Sequence, residues 1–448
     1  MKKTMIMLVI TGLVLGAGNA VAKVSKEEAA KLGNELTPVG AERAGNADGS
    51  IPAWTGGMTS APVGYQPGGT RIDPFADEQP LFTIDAGNYK QYADKLTEGQ
   101  KALFEKYPET FKMPVYPTHR TAAAPQWVYD NTKQNAMNAE LTEDRNGVIN
   151  AFGGYPFPIP QNGSEVIWNH SLRWIGQGNY KDVNQVTVYA NGDKLIGGST
   201  VWETFPYFDQ AKYKGNILHI LIEYDNPVRR KGEMILVRDS VNAAENPRQA
   251  WQYIPGQRRV RRAPTIGFDT PNPEFSGLTN YDDAFMFNGS PERFDWKLVG
   301  KKEMYIAYNN NGLMAAVEKG QYAAIETPNH LNPEFTRWEL HRVWVVESTV
   351  KKGKRHVYGK RTYYLDEDTW NITATDIYDG RGELWRVGLA NQLNAYDVPS
   401  TVIRSYYHID LHSDIYALNE ADLAPLKFYE GEDNNFYTPA QVRKMSRR

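Results

Sequence analysis

His408-Ile409-Asp410-Leu411-His412 is the stretch whose residue types and spacing come nearest to a reactive centre. On a β-strand alternate side chains share a face, which would put both imidazoles and the carboxylate together, a donor set that suits a transition metal. At ~3.3 Å per residue, however, His408 and His412 stand about 13 Å apart on a flat strand, too far for one ion unless the chain bulges. The stretch therefore reads as polar alternation. His170, after Trp168-Asn169, fits a helix C-terminus or a hydrogen bond as well as it fits catalysis. Asn46-Ala47-Asp48-Gly49-Ser50-Ile51 has the alternating oxygens of a calcium loop, but the loop's outer positions fall on Ala44 and Thr55, neither a carboxylate, so a turn is expected. The chain has no Cys and no Gly-x-Ser-x-Gly elbow, phosphate loop, His-Glu-x-x-His motif or dinucleotide fingerprint. No catalytic residue, metal ligand or cofactor is assigned, and a hydrolase or metal enzyme is the third-ranked reading.

The remaining candidates suit binding. Arg258, Arg259, Arg261 and Arg262 form one basic cluster and Arg229, Arg230 and Lys231 another, on hairpins expected to be neighbours. Arg229, Arg230, Arg259 and Arg261 are the candidates for an anionic head group or membrane surface, against the plainer reading of a solvated face balanced by Glu223 and Glu233. Trp338, Leu340, Trp344 and Val346 are expected on one face of a strand, with Tyr364 and Trp370 closing a hairpin. They are the candidate lining of a cavity for a hydrophobic molecule, or simply core. At ~0.8 kcal/mol per methylene, swallowing roughly 14 carbons whole would give on the order of 10 kcal/mol, too tight for easy release, so an open container is favoured.

Elements must hold these residues in place. The chain is 448 residues long with 41% hydrophobic, 23% charged and 12% aromatic residues, inside the range of folded protein. With 50 Lys+Arg against 53 Asp+Glu and a net charge of -3, no field exists to hold nucleic acid. Lys2 and Lys3, an apolar run from Met5 to about Ala17 and Ala20-Val21-Ala22 read as a cleavable signal peptide over 1–22, which predicts an unlipidated periplasmic protein. Residues 23–150 read as an N-terminal arm with short helices: capping boxes at Ser25-Glu28 and Thr97-Gln100, helices over 85–96, 97–107 and 126–141, and a Gly/Pro-rich segment from Leu36 to Glu78 without regular structure. Ser164 is expected to cap a helix to Trp174. From Gln185 the period becomes two, and at least ten strands joined by tight turns, with no helices interleaved, predict an antiparallel β domain over 151–420. Trp296–Val299 and Glu303–Tyr308 are read as a hairpin about Gly300-Lys301. Residues 421–448 form a tail ending in a short helix after Thr438-Pro439. The fold class is mainly β (α+β), a large curved antiparallel sheet or incomplete barrel with an N-terminal helical and Gly/Pro-rich extension.

Two stretches carry a family signature: Leu36-Thr37-Pro38-Val39-Gly40-Ala41-Glu42-Arg43-Ala44-Gly45-Asn46, running on through Asp48-Gly49-Ser50-Ile51-Pro52-Ala53-Trp54-Thr55-Gly56-Gly57, and Gly153-Gly154-Tyr155-Pro156-Phe157-Pro158-Ile159-Pro160 with Trp168-Asn169-His170. They resemble an uncharacterised domain-of-unknown-function family of secreted proteobacterial proteins described as outer-membrane lipoprotein-sorting-like (LolA/LolB-like). The resemblance implies a curved sheet like that of periplasmic lipoprotein carriers. It also implies, as partners, a resistance-nodulation-division type exporter and an outer-membrane protein; no catalytic residues come with it. The leading expectation is a non-catalytic periplasmic protein that binds a lipid or other hydrophobic molecule and transfers it between membranes. The alternative is a periplasmic scaffold or assembly factor that binds protein partners through the arm and an open sheet edge without a small ligand.

Overall fold

The period-two alternation organises most of the chain. In the computed structural model, which describes residues 24–263 and 268–447, sixteen strands hydrogen-bond into one curved sheet that does not close into a barrel. The leader read over 1–22 lies outside the described residues. The N-terminal part supplies short pieces: helix α1 (Lys26–Ala29), strand β1 (Phe82–Ile84), helix α2 (Glu98–Lys106), β2 (Met113–Val115), α3 (Gln126–Asn138), the ribbon of β3 (Glu140–Leu141) and β4 (Val148–Ile149), and α4 (Gly163–Ser171). A first meander follows, β5 (Gly178–Val188), β6 (Lys194–Thr204), β7 (Asn216–Asn226), β8 (Met234–Ser240), β9 (Gln249–Ile254) and β10 (Arg259–Arg262). The second runs through β11 (Phe294–Ala307), helices α5 (Asn311–Glu318) and α6 (Tyr322–Ile325), β12 (Trp338–Val350), β13 (Lys360–Asp366), β14 (Ile372–Tyr378), β15 (Leu384–Ala395), β16 (Ser400–Asp410) and β17 (Ile415–Asp422). Strand β18 (Lys427–Tyr429) and helix α7 (Pro439–Met445) close the chain.

Within each meander a strand pairs antiparallel with the next, and the two meanders join where β17 lies against β5. Strand β18 extends that seam along β5. One edge of the sheet is β10; at the other, β12 carries β11 and touches β2 in a parallel contact of Trp338 with Val115.

Local sequence explains most boundaries. Both capping boxes form, at Ser25 with Glu28 and at Thr97 with Gln100, and Thr438 caps α7 with Pro439 in its first turn. The calcium-like stretch is a turn: the Asn46 carboxamide accepts from the Ile51 N–H and Asp48 from the Ser50 N–H. Four expectations need correction. Helix α4 is capped by Asn162, whose side chain accepts from the Glu165 N–H, and Ser164 already lies inside it. The stretch 85–96 tightens to a 3₁₀ helix over Tyr89–Lys95. The hairpin about Gly300 is one strand, β11, with a bulge: Gly300 has φ +139°, the register slips between Leu298 and Gly300, and Val299 is pushed outward. Finally, helices do interrupt the strands, since α5 and α6 lie between β11 and β12.

The sheet of the second meander is apolar on both faces. Val343 and Val345 of β12 pack with Leu103 and Phe104 of α2 on one side, while Val346 packs with Val166 and Ile167 of α4 on the other. Burying each such side chain contributes about 1.5–3 kcal/mol. On the first meander, Leu221, Met234 and Leu236 are covered by Tyr437 and Val442 of the tail. The opposite face of the same strands is packed less tightly.

Candidate functional site

Strand alternation builds the site. Val201 of β6, Ile220 and Ile222 of β7, and Ile235 and Val237 of β8 point to one face, and the register pairs Val201 with Ile222, Ile222 with Ile235 and Ile220 with Val237. Ile220 and Ile222 are only half-buried. Residues 268–291, a strap of turns and short 3₁₀ segments, cross above them and enclose a cavity of about 130 Å³. A second cavity of about 60 Å³ adjoins it, and Leu218, Arg248, Phe285 and Asn288 line both. The two form one apolar groove divided by Phe285.

Polar groups also stand in the lining of the larger cavity. Lys181 of β5 and Glu203 of β6 pair at 3.0 Å with side chains 2% and 1% exposed, and the Lys181 ammonium sits 5.3 Å from the Phe285 ring centre. Elsewhere in the lining, the Tyr224 hydroxyl donates to Glu274 of the strap, and the Arg230 guanidinium lies 3.6 Å over the Tyr224 ring while bonding Glu233 at 2.8 Å. Burial pushes the Glu274 carboxyl above its ordinary value, against the hydrogen bond from Tyr224 and the nearby Arg230 charge. The strap's divider is held from below. Phe285 and Met286 have φ of +54° and +71°, left-handed values unusual for such side chains. His170, in the last turn of α4, has Nε2 3.0 Å from the Phe285 carbonyl and Nδ1 3.3 Å from the Ile372 N–H. Nδ1 also lies 3.1 Å from the Trp370 carbonyl, so the ring is held between the strap and β14. Burial and the neighbouring Arg173 charge keep the imidazole well below its ordinary pKa, hence neutral.

The residues nominated from sequence divide between groove, surface and core. Arg230 stands at the groove through Tyr224 and Glu274, whereas Arg229, Arg259 and Arg261 are exposed on the β7–β8 turn and on edge strand β10. Trp338, Leu340 and Tyr364 are buried in one apolar cluster, and Val346 and Trp370 in the other with Trp344 against them. The expected single face of Trp338, Leu340, Trp344 and Val346 is thus split between two clusters, because β12 is covered on both sides. None of these six lines the groove. His408 is buried against Gly388, Asp410 pairs with Arg386 at 3.2 Å, and His412 lies in the turn beyond β16, so the three do not converge. Ile220, Ile222, Ile235 and Val237 were legible only as strand residues; the signal that marks them is alternation in two paired strands whose other face is also apolar.

Residues 83–443 match a family described as a protein of unknown function, DUF1329. The chain belongs to this family. It is 44% identical over 455 residues, 99% of each chain, to the uncharacterized protein PA3922 of Pseudomonas aeruginosa. It is also similar to three solved structures. A DUF1329 family protein from Desulfovibrio piger shows 15% identity over 60% of this chain and 92% of that one, with a TM-score of 0.40. A putative outer membrane lipoprotein-sorting protein domain from Vibrio parahaemolyticus shows 15% over 62% and 97%, TM-score 0.43. A LolA superfamily protein from Nitrosomonas europaea shows 13% over 62% and 98%, TM-score 0.38. The family resemblance drawn from the two motifs is correct.

A second feature escaped the sequence reading of this DUF1329 chain. Asp366-Glu367-Asp368, read only as a turn between strands, is buried throughout. The arm covers it: Arg120 grips Asp368 through two bonds of 2.7 and 2.8 Å and donates to the Glu42 carbonyl, and the Trp370 indole donates to the Val39 carbonyl. Sequence gives no sign that so acidic a turn is covered, because the covering segment is some three hundred residues away in the chain.

Proposed function

We propose that the protein binds an elongated hydrophobic molecule, such as an acyl chain, in the groove beneath the 268–291 strap and carries it through the periplasm between membranes, without catalysing a reaction. The observation that carries this reading is the pair Ile220 and Ile222, large aliphatic side chains left half-buried in a roofed concavity. Apolar surface held there gains ~0.8 kcal/mol for each ligand methylene it covers. A cavity of about 130 Å³ is below the ~300–1,000 Å³ that encloses drug-sized ligands, so it takes a segment of chain. Roughly six methylenes give about 5 kcal/mol, a reversible hold. Lys181 with Glu203, and Arg230 with Tyr224 and Glu274, offer hydrogen bonds to a polar head. Arg229, Arg259 and Arg261 then face an anionic membrane surface during loading. No helix among the described residues is long and apolar enough to cross a membrane. Hand-over to a resistance-nodulation-division type exporter and an outer-membrane protein belongs to the same reading.

Native mass spectrometry with organic extraction of protein purified gently from periplasm tests it. A stoichiometric lipid or hydrocarbon, lost in Ile222→Asp, is expected. Clean apoprotein in repeated preparations, or equal loading of the variant, sinks the reading and favours a scaffold using the open edge of β10, whose partners crosslinking would find.

A further inference from the structure

The buried turn beneath the arm holds an arrangement that hydrogen bonding alone leaves incomplete. His341 of β12 is 1% exposed, and its Nε2 lies 3.1 Å from Oε2 of Glu339. Glu339 also accepts from Arg337 at 2.5 Å and from Asn309 at 3.0 Å, which marks it as an ionised acceptor, so the imidazole proton sits on Nε2. Nδ1 lies 3.8 Å from Oδ1 of Asp366. That oxygen is buried and has no hydrogen-bond partner, while Oδ2 is taken by the Thr369 hydroxyl at 2.7 Å. One ligand atom each from His341, Asp366 and Asp368 lies within 4.8 Å of the others, the sole such trio among the described residues. Tyr308, stacked on His341 at 4.1 Å between ring centres, adds a buried hydroxyl that also has no partner.

Charge points the same way. The ion-pair network around the turn contains the carboxylates of Glu42, Glu78, Glu339, Asp366, Glu367 and Asp368. Against them stand Arg120, Lys301, Arg337 and Arg342, carboxylate-rich surroundings that a divalent cation complements. Atoms that each stand ~2.0–2.2 Å from one ion lie up to about 4 Å apart, which the His341–Asp366 spacing satisfies. The Glu339–His341 contact is the carboxylate–imidazole support that metal-bound histidines use.

We infer that His341, Asp366 and Asp368 bind a divalent transition-metal ion of the zinc or manganese class, which ties β12 to the β13–β14 turn beside the Arg120 contact that seats the N-terminal arm. Each Asp368 oxygen has a lone pair beyond the one Arg120 uses, so the guanidinium and the ion are held together. The site is sealed from solvent, so its role is structural and separate from the groove.

The test uses the full mature chain, stripped with chelator and titrated with ZnCl₂ or MnCl₂ alone. One equivalent retained after gel filtration, by elemental analysis, and a midpoint of thermal unfolding raised by several degrees are expected, with both effects lost in Asp366→Asn and in His341→Gln. If His341→Gln does not fold, Asp366→Asn and the wild-type titration still decide. Overturning results are a wild-type chain that retains no metal and does not shift, an Asp366→Asn variant that retains as much as wild type, or a metal-free state in which NMR finds His341 as an imidazolium and added metal leaves it so.

Discussion

Lys181 and Glu203 neutralise each other where neither reaches water, so removing one differs from removing both. Lys181→Met leaves the Glu203 carboxylate buried without this cation and is expected to cost about 3–5 kcal/mol, whereas Lys181→Met with Glu203→Leu is expected to cost less than the single replacement. Urea unfolding of the variants checks this; equal losses for single and double replacement would remove the pair's mutual neutralisation from the account. A buried carboxyl gives the molecule a pH dependence as well. Asp376 of β14 accepts from the Glu98 and Gly99 N–H groups at the start of α2 and from the Tyr364 hydroxyl, yet burial pushes its pKa up to about 6. The unfolded chain releases this proton first as pH rises, so the group's contribution is largest below its ordinary value of 3.8 and is lost as pH climbs through about 6. The loss is on the order of 3 kcal/mol at 1.36 kcal/mol per pH unit. Stability measured across that window should fall in wild type relative to Asp376→Asn; parallel curves would refute it.

Phe285 divides the groove, and the strap that carries it has no periodicity by which the sequence could announce a roof. Phe285→Ala is expected to join the two cavities and to improve binding of long-chain fluorescent fatty acids over short ones by roughly tenfold, each added methylene contributing ~0.8 kcal/mol. An unchanged chain-length profile would mean that Phe285 does not bound the site. Arg71 is one of the residues that pin the arm. Arg71 bonds Asp397 bidentately at 2.7 and 2.9 Å and donates to the Leu426 carbonyl. Arg71→Ala is expected to free the surrounding Gly/Pro-rich segment, seen as new cleavage within 60–70 under limited proteolysis. Strand positions were legible because alternation and tight turns such as Asn191-Gly192-Asp193 speak locally. What alternation cannot tell is whether an apolar face meets a cavity or another layer. Trp338 and Trp344 pattern like a lining and are core, while Ile220 and Ile222 pattern like core and line the groove. Gly300 shows a related ambiguity, since a glycine between two apolar runs marks a bulge as readily as a turn.

Across the whole molecule, the second meander is packed on both faces, while the first has the tail on one face and the strap with its groove on the other. Deleting residues 433–447 would uncover Leu221, Met234 and Leu236, and the truncated chain is expected to self-associate on size-exclusion chromatography while the intact protein stays discrete. The overall sheet was legible in its class and curvature, but the seam of β17 on β5 was not, because pairing between distant strands leaves no local trace. The bonds that seat the arm are longer still in sequence: Trp370 to Val39 spans 331 residues and Arg71 to Asp397 spans 326. Contacts so remote close late, since loop-closure entropy is lost before they form. The first segment to be synthesised is therefore among the last to find its partners. Chains interrupted before Asp368 lack the turn that Arg120 and Val39 bind, and those interrupted before Asp397 lack the partner of Arg71, so the arm is fully seated only when the second meander is nearly complete.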